Sequence, residues 1–289
     1  MPTVYLNGDF LPEQDACVSV LDRGFIFGDG IYEVIPAYGR RPFRFEEHLQ
    51  RLQNSLDGIR IGNPHSAAEW QYLIQKVIDA NVGEDQSVYL QITRGAAKRD
   101  HAFPSEVKPT VLIMSNPLTT PSAETLQTGV AAITTEDIRW IYCHIKAICL
   151  LPNVLLRQQA IEADSAEAIL IRDGLATEGA ASNLFIVHDG IIRTPPKGPL
   201  LLPGITRDLV LELAAENNIP HEEANILEGD LSRAEEIWLT SSTKEILPVT
   251  QLDGKSVGNG LPGPLWEKMY GLYQEYKHHL RTSLASEKD

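Results

Sequence analysis

Trp140-Ile141-Tyr142-Cys143-His144-Ile145-Lys146-Ala147-Ile148-Cys149-Leu150-Leu151 sets one lysine in a run that is otherwise apolar or aromatic. No formal charge lies between Arg139 and Lys146, and the next one after it is Arg157. Lysine is among the residues least often buried, so a lysine placed here needs a partner or a purpose. Desolvation disfavours an ammonium ion, which is how a lysine becomes nucleophilic near neutral pH. Read as a strand, the stretch puts Tyr142, His144 and Lys146 on one face and Ile141, Cys143 and Ile145 on the other. The plainer reading is a lysine at a strand end, with its stem packed and its amine in water. Both readings stand on this stretch alone, and the rest of the chain has to choose.

The chain has 289 residues, enough for one large domain or two of ordinary size, and two is the better expectation. Hydrophobic residues make up 43% and charged ones 22%, the balance of a soluble globular protein. A net charge of −14 argues against nucleic acid as a partner, because phosphate binding needs a basic surface. Any anionic ligand must then be held by a local arginine or by backbone N–H groups. Cys17, Cys143 and Cys149 form no Cys-x-x-Cys, so neither a disulfide framework nor a zinc site is expected. Cys143 and Cys149 read as small core residues. Met1-Pro2-Thr3-Val4 has no basic region ahead of an apolar core, and nowhere do eighteen apolar residues run together. A cytoplasmic protein without a membrane span is the expectation.

Outward from the lysine, the N-terminal part reads as mixed structure. Val4-Tyr5-Leu6, Asn7-Gly8 and Phe10-Leu11 form a hairpin, since Asn-Gly supplies the positive φ of a type I′ turn. Leu49, Leu52, Leu56 and Ile59 keep helical spacing, with Arg51 beside the stripe. Ser66-Ala67-Ala68-Glu69 opens a second helix with a capping box, ending near Asn81-Val82-Gly83. Val88–Thr93 and Thr110–Met114 read as strands, separated by the polar loop that carries Lys98, Arg99, Asp100 and His101. Asn116-Pro117-Leu118-Thr119-Thr120-Pro121-Ser122 is the linker candidate. Beyond it, Ala168–Ile171, Leu184–Val187 and Ile191-Ile192 read as an antiparallel meander turning at Asp173-Gly174 and Asp189-Gly190. Helices are expected over Asn153–Ala163, Thr206–Asn217 and Pro264 to about Leu280, and Glu287-Lys288-Asp289 forms a charged tail.

Several stretches suit an anion or a flat ring. Pro203-Gly204-Ile205-Thr206 leads straight into a helix, whose first N–H groups and dipole favour negative charge, although Thr206 also reads simply as an N-cap. Thr240-Ser241-Ser242-Thr243 offers four hydroxyls in a turn, and Arg51 a cation; an ordinary turn and a solvated arginine are the plain alternatives. Glu178 sits among the small residues of Ala176-Thr177-Glu178-Gly179-Ala180-Ala181-Ser182-Asn183, where a carboxylate faces either a ligand or water. A reactive lysine, an acid and a phosphate cradle are together the parts that a pyridoxal phosphate enzyme needs.

The sequence resembles the fold-type IV (class IV) pyridoxal-phosphate aminotransferases, and among them the D-amino acid branch. The resemblance runs from Leu6-Asn7-Gly8 to about Pro248. Its motifs include Asp22-Arg23-Gly24 through Val34, Glu47-His48-Leu49-Gln50-Arg51-Leu52, Thr93-Arg94-Gly95 with Arg99-Asp100-His101, and Glu136-Asp137-Ile138-Arg139-Trp140. They continue with Ile145-Lys146, Thr177-Glu178-Gly179 with Ser182-Asn183, Gly204-Ile205-Thr206-Arg207 and Thr240-Ser241-Ser242. The resemblance implies a two-domain α/β (α+β) fold, with a smaller N-terminal α/β domain over residues 1–120 and a larger β-rich pseudo-barrel domain over 121–289. It implies pyridoxal 5′-phosphate carried on Lys146, whose freed amine then moves a proton. Glu178 would meet the pyridine nitrogen, and Leu202 would pack on the ring. Arg51, Ile205, Thr206 and Ser242 would hold the phosphate. Tyr32, Arg99 and His101 match the carboxylate trap of the D-amino acid branch, where the arginine–histidine loop comes from the other subunit of a homodimer.

The expected reaction is ping-pong transfer from a D-amino acid such as D-alanine to 2-oxoglutarate. Ala147, Ile148-Cys149, Pro152-Asn153, Ala180 and Ala181 depart from the branch pattern. Branched-chain or (R)-amine transfer, or 4-amino-4-deoxychorismate lyase activity, therefore stay open as alternatives, as does a binding protein with a vestigial site. No metal is expected.

Overall fold

The computed structural model describes residues 1–282, so the charged tail Glu287–Asp289 lies outside the described residues. The chain forms two compact units. Of the described residues, the first comprises Met1–Thr119, Ile145–Leu150 and 280–282, and the second Thr120–His144 and Leu151–His279. A boundary near residue 120 places Lys146 in the C-terminal part of the chain. The fold instead gathers its short segment into the N-terminal unit.

In the first unit the elements are β1 (Thr3–Leu6), β2 (Asp9–Pro12), α1 (Arg23–Phe27), β3 (Gly30–Tyr38), β4 (Arg41–Pro42), α2 (Phe45–Gly58), α3 (Ala67–Ala80), β5 (Gln86–Thr93) and β6 (Thr110–Pro117). The strands lie in the order β2-β1-β6-β5-β3-β4, every neighbour antiparallel. Asn7 (φ 52°) and Gly8 (φ 114°) close the β1–β2 hairpin, the two positive angles that the dipeptide was expected to supply. Ser66 accepts from Glu69 N–H while Glu69 reaches back to Ser66, so α3 starts on its capping box. Leu52 and Leu56 of α2 and Trp70, Ile74 and Val77 of α3 bury one stripe each against Ile31, Ile35, Val88, Leu90 and Ile92 of the sheet. Ile145 and Ala147 belong to the same core.

The second unit contains α4 (Ala123–Thr128), β7 (Val130–Glu136), α5 (Leu151–Glu162), β8 (Glu167–Arg172), β9 (Leu175–Gly179), β10 (Asn183–His188), β11 (Ile191–Thr194), α6 (Ile205–Glu216), β12 (His221–Glu223), β13 (Ile226–Leu227), α7 (Glu228–Leu231), β14 (Glu236–Ser241), β15 (Glu245–Leu252), β16 (Lys255–Ser256) and α8 (Pro264–Thr282), whose end passes into the first unit. The expected antiparallel meander is not what forms. β8–β9 and β10–β11 are separate hairpins, and the main path of the sheet runs β12-β11-β10-β14-β15-β7-β8-β9-β13. β7 pairs parallel with both β8 and β15, so the sheet is mixed. The cause is the connection: α5 carries the chain from β7 back to the start of β8, which a hairpin cannot do. β9 also lies against β10 without sharing a ladder, and the sheet therefore curls. Among the described residues no helix is long and apolar enough to cross a membrane.

Candidate active site

The stretch from Trp140 to Leu150 is irregular rather than a strand, because it has too few ladder partners. A single bridge, Ile31↔Ala147, fastens it to β3. Its burial nevertheless alternates. Cys143, Ile145 and Ala147 are buried, Tyr142 and His144 are exposed, and Lys146 is half-buried, so it is not the sequestered lysine that the apolar run suggested. Cys149 is exposed, a further correction, since the chain leaves the core there. Lys146 is fixed through its backbone on both sides: its carbonyl accepts from Tyr32 N–H at 2.9 Å, and its N–H donates to Ser55 Oγ at 3.2 Å. Gly30 makes this docking possible, since a Cβ there would stand 2.6 Å from the Ile92 carbonyl and 3.0 Å from Ile148 Cδ1. The Lys146 amine lies 4.2 Å from the centroid of the Tyr32 ring, within cation–π range.

Behind Tyr32, the next residue of β3 points to the opposite face. Glu33 is buried and accepts from Arg51 Nε and Nη2, both at 2.8 Å, and from His48 Nδ1 at 2.8 Å. Burial alone would raise the Glu33 pKa, but the charge and hydrogen bonds of Arg51, with His48 adding to them, hold it well below the ordinary carboxylate value. Burial pushes His48 down, and the charges of Arg51 and Lys146 push the same way against the pull of Glu33. A neutral His48 beside an ionised Glu33 carries its proton on Nδ1. Its buried Nε2 then has no hydrogen-bond partner among the described residues. Arg51 thus has a buried counter-ion on its own unit, which the helical spacing did not reveal.

Arg99 and His101 lie on the exposed loop between β5 and β6, and both rest on one ring. The Arg99 guanidinium is 5.4 Å from the Phe27 centroid, and the His101 ring is 5.4 Å from it at an interplanar angle of 39°.

In the second unit the small-residue stretch around Glu178 is the end of β9, a tight turn and the start of β10, closed by Gly179 N–H donating to Ser182 O at 2.7 Å. Glu178 does not face water; it is 4% exposed. Its Oε1 accepts from Arg139 Nη1, and its Oε2 from Asn183 Nδ2 at 3.0 Å and Leu202 N–H at 3.1 Å. An ionised carboxylate has about four acceptor positions, so three donors leave one for a ligand. Burial raises the Glu178 pKa and the nearby Asp137 charge adds to it. Arg139 and the Leu202 N–H pull the other way, and the result is about 7. Arg139 is shared: its Nε donates to Asp137 Oδ1 at 2.8 Å and its Nη2 to Leu200 O at 3.2 Å.

Asn183 gathers the remaining parts. Its Nδ2 also donates to Leu202 O at 2.8 Å, it stands opposite Thr240 in the β10–β14 ladder, and its Oδ1 faces Gly204 so closely that a Cβ there would clash. Gly204 is the N-cap of α6 and makes no side-chain cap. Thr206 is therefore not the N-cap but the second helical residue, buried together with Ile205. The uncapped N–H groups of α6 and the buried Thr240 Oγ1, which has no hydrogen-bond partner among the described residues, are unspent donors of the kind that hold a phosphate. Ser242 is half-buried in the turn after β14. Taken unit by unit, the residues fit pyridoxal phosphate: the first unit offers a half-buried amine at Lys146, and the second an acid with one open acceptor position at Glu178 and an uncapped helix start. Arg139, Asn183, Glu33 and His48 were within the quoted motifs, but nothing local marks their roles.

A family model described as amino-transferase class IV matches residues 30–252. The chain is similar to the D-alanine aminotransferase of Bacillus licheniformis, with 43% identity over 271 residues, covering 94% of this chain and 95% of that protein. Among solved structures it is similar to the branched-chain amino acid aminotransferase of Escherichia coli, with TM-score 0.88 and 30% identity, over 93% of this chain and 92% of that one. It is also similar to a branched-chain amino acid aminotransferase from T.th., solved with pyridoxamine 5′-phosphate, with TM-score 0.90 and 26% identity over 95% and 93% of the two chains.

Proposed function

Since the chain belongs to the class IV aminotransferases, we propose that it moves the amino group of a D-amino acid such as D-alanine to 2-oxoglutarate, by a ping-pong sequence, as a cytoplasmic homodimer using pyridoxal 5′-phosphate. The 43% identity to a D-alanine aminotransferase over nearly the whole chain supports the donor class. The structural observation that carries it is the pairing of Arg99 and His101 on the Phe27 ring, which presents a guanidinium and an imidazole together for a carboxylate.

Pyridoxal phosphate, when bound, supplies a carbonyl carbon for amine exchange and a ring that takes up electrons released at the substrate Cα. Lys146 Nζ would anchor the cofactor and, as a free amine, would be the base that takes the Cα proton. Tyr32, whose ring faces that amine, and the fastening of the Lys146 backbone limit where the proton is delivered. Glu178 uses its remaining acceptor position to keep a proton on the pyridine nitrogen, while Arg139, Asn183 and Leu202 N–H hold the carboxylate in place. Arg51, the N–H groups of Ile205 and Thr206, the Thr206 hydroxyl and Ser242 would hold the phosphate, and Leu202 would pack on the ring. Tyr32, Arg99 and His101 bind the substrate carboxylate.

The test is a half-reaction panel in which D- and L-amino acids are mixed with holoenzyme and the loss of the cofactor's resting absorbance is followed. D-alanine should bleach it and L-alanine should not. Bleaching by L-amino acids with D-alanine inert would overturn the assignment. The similarity to branched-chain enzymes of known structure favours L-leucine transfer as the second reading, and L-leucine in the same panel decides it.

A further inference from the structure

Asp22-Arg23-Gly24 contributes no residue to the set above, yet Arg23 is 4% exposed, with both Nε and Nη1 hydrogen-bonded. Its Nε donates to Asp29 Oδ2 at 2.7 Å, and its Nη1 to the carbonyls of Asp100 at 2.6 Å and Ala102 at 3.3 Å. Those two carbonyls flank His101. The Arg23 guanidinium is also 4.9 Å from the centroid of Phe27, the ring on which Arg99 and His101 both rest.

The frame behind Arg23 is stiff. Asp29 is shared with Arg94, which donates to it from Nε at 2.8 Å and from Nη2 at 3.0 Å. Arg94 is tied in turn to the carbonyls of Ile59 at 2.6 Å and Arg60 at 3.1 Å, and its guanidinium lies 3.8 Å from the Phe103 centroid. Arg23 N–H donates to Gly95 O at 2.9 Å, and Ala97 N–H to Leu21 O at 3.2 Å. The loop between β5 and β6 is thus fastened at both its entry and its exposed tip.

We propose that Arg23, with Phe27, is the positioning unit for Arg99 and His101, so that substrate-carboxylate recognition depends on a buried arginine that never touches substrate. This rests on the reading of Arg99 and His101 given under Proposed function. A loop without regular structure binds a carboxylate weakly if it must be ordered on binding, and Arg23 meets that ordering cost during folding. Lysine cannot replace it, because a single ammonium lacks the planar fork that reaches a carboxylate and two carbonyls at once.

The experiment compares wild type, Arg23→Lys, Phe27→Leu, Arg99→Ala and the Arg23→Lys/Arg99→Ala double variant as pyridoxal phosphate holoenzymes. Three quantities are read: KM and kcat for D-alanine, and the rate at which hydroxylamine, which has no carboxylate, reacts with the bound cofactor. For Arg23→Lys the expected result is a KM raised about tenfold, as for the loss of a charged hydrogen-bond contact, with kcat and the hydroxylamine rate within about twofold of wild type. Phe27→Leu should raise KM about threefold, in keeping with the smaller worth of a cation–π contact. The double variant should be no worse than Arg99→Ala alone, because residues acting through one another are not additive.

An unchanged KM in Arg23→Lys, a fall in the hydroxylamine rate alongside it, or additive losses in the double variant would each overturn the proposal. If Arg23→Lys yields no folded holoenzyme, Phe27→Leu decides by the same criteria. Arg99→Ala tests the underlying reading separately: an unchanged KM there removes the carboxylate role itself, whereas a raised KM with a silent Arg23→Lys removes the positioning role alone.

Discussion

Glu33 and Glu178 are both buried carboxylates paired with an arginine, yet they settle on opposite sides of the ordinary value. Glu33 has Arg51 in a two-pronged contact and His48 as a third donor, which together outweigh its burial. Glu178 shares Arg139 with Asp137, whose negative charge both occupies that arginine and repels Glu178. The first is therefore a fixed anion and the second an acid able to take a proton near neutral pH. Glu33→Gln leaves the Arg51 charge buried without its counter-ion, and a loss of about 3 kcal/mol is expected in urea unfolding at pH 7. Lys146→Arg keeps the charge and the backbone docking but removes the transferable amine. It should fold normally, form no borohydride-reducible adduct with pyridoxal phosphate, and lose about a thousandfold or more in kcat. The lysine was legible as an anomaly in an apolar run. Ser55, which holds the Lys146 N–H, and Glu33 and Asn183, which hold Arg51 and Glu178, were not, because their partners lie far along the chain where local pattern does not reach.

Elements with local causes were read correctly. The Asn7-Gly8 hairpin follows from two backbone angles, and α3 from a cap three residues long. Elements with distant causes were misread. β7 enters the sheet between β8 and β15 in parallel with both, and nothing within Val130–Glu136 announces that insertion. The Lys146 stretch has strand-like alternation but a single bridge, so its pattern outran its pairing. The start of α6 was recognised, with its cap misplaced: Gly204, not Thr206, takes that position, because Asn183 leaves no room for a side chain. Gly204→Ala should therefore displace Asn183 from Glu178 and from the helix start together. Equilibrium dialysis should show pyridoxal phosphate affinity reduced about tenfold, with circular dichroism unchanged.

For the molecule as a whole, three buried or partly buried carboxylates share a direction. Glu33, Asp29 and Asp137 all titrate below their ordinary values of 4.5, 3.8 and 3.8, since their arginine partners outweigh burial. In that range the unfolded chain binds more protons than the folded one, so stability is fully present above it and is lost as the pH falls through it. Glu178 works the other way between 4.5 and about 7, where the folded protein holds the extra proton and stability declines as the pH rises. The urea midpoint of the cofactor-free protein should drop steeply below about pH 4.5, and Glu33→Gln should flatten that drop while lowering the plateau. A midpoint that holds constant from pH 6 to pH 3.5 would contradict this account.

The docking of Ile145–Leu150 against β3 also bears on synthesis. When the first 119 residues have left the ribosome, β3 already has β5 along one side, but the stretch Gly30–Tyr32 has nothing on the other. The groups that later pair there, Tyr32 N–H and the Gly30 carbonyl, wait for Lys146 and Ile148 to be translated. An exposed sheet edge invites pairing with another nascent chain. Lys146 thus arrives on the peptide that closes this edge, so a truncated product stopping before residue 145 would lack it and be prone to self-association.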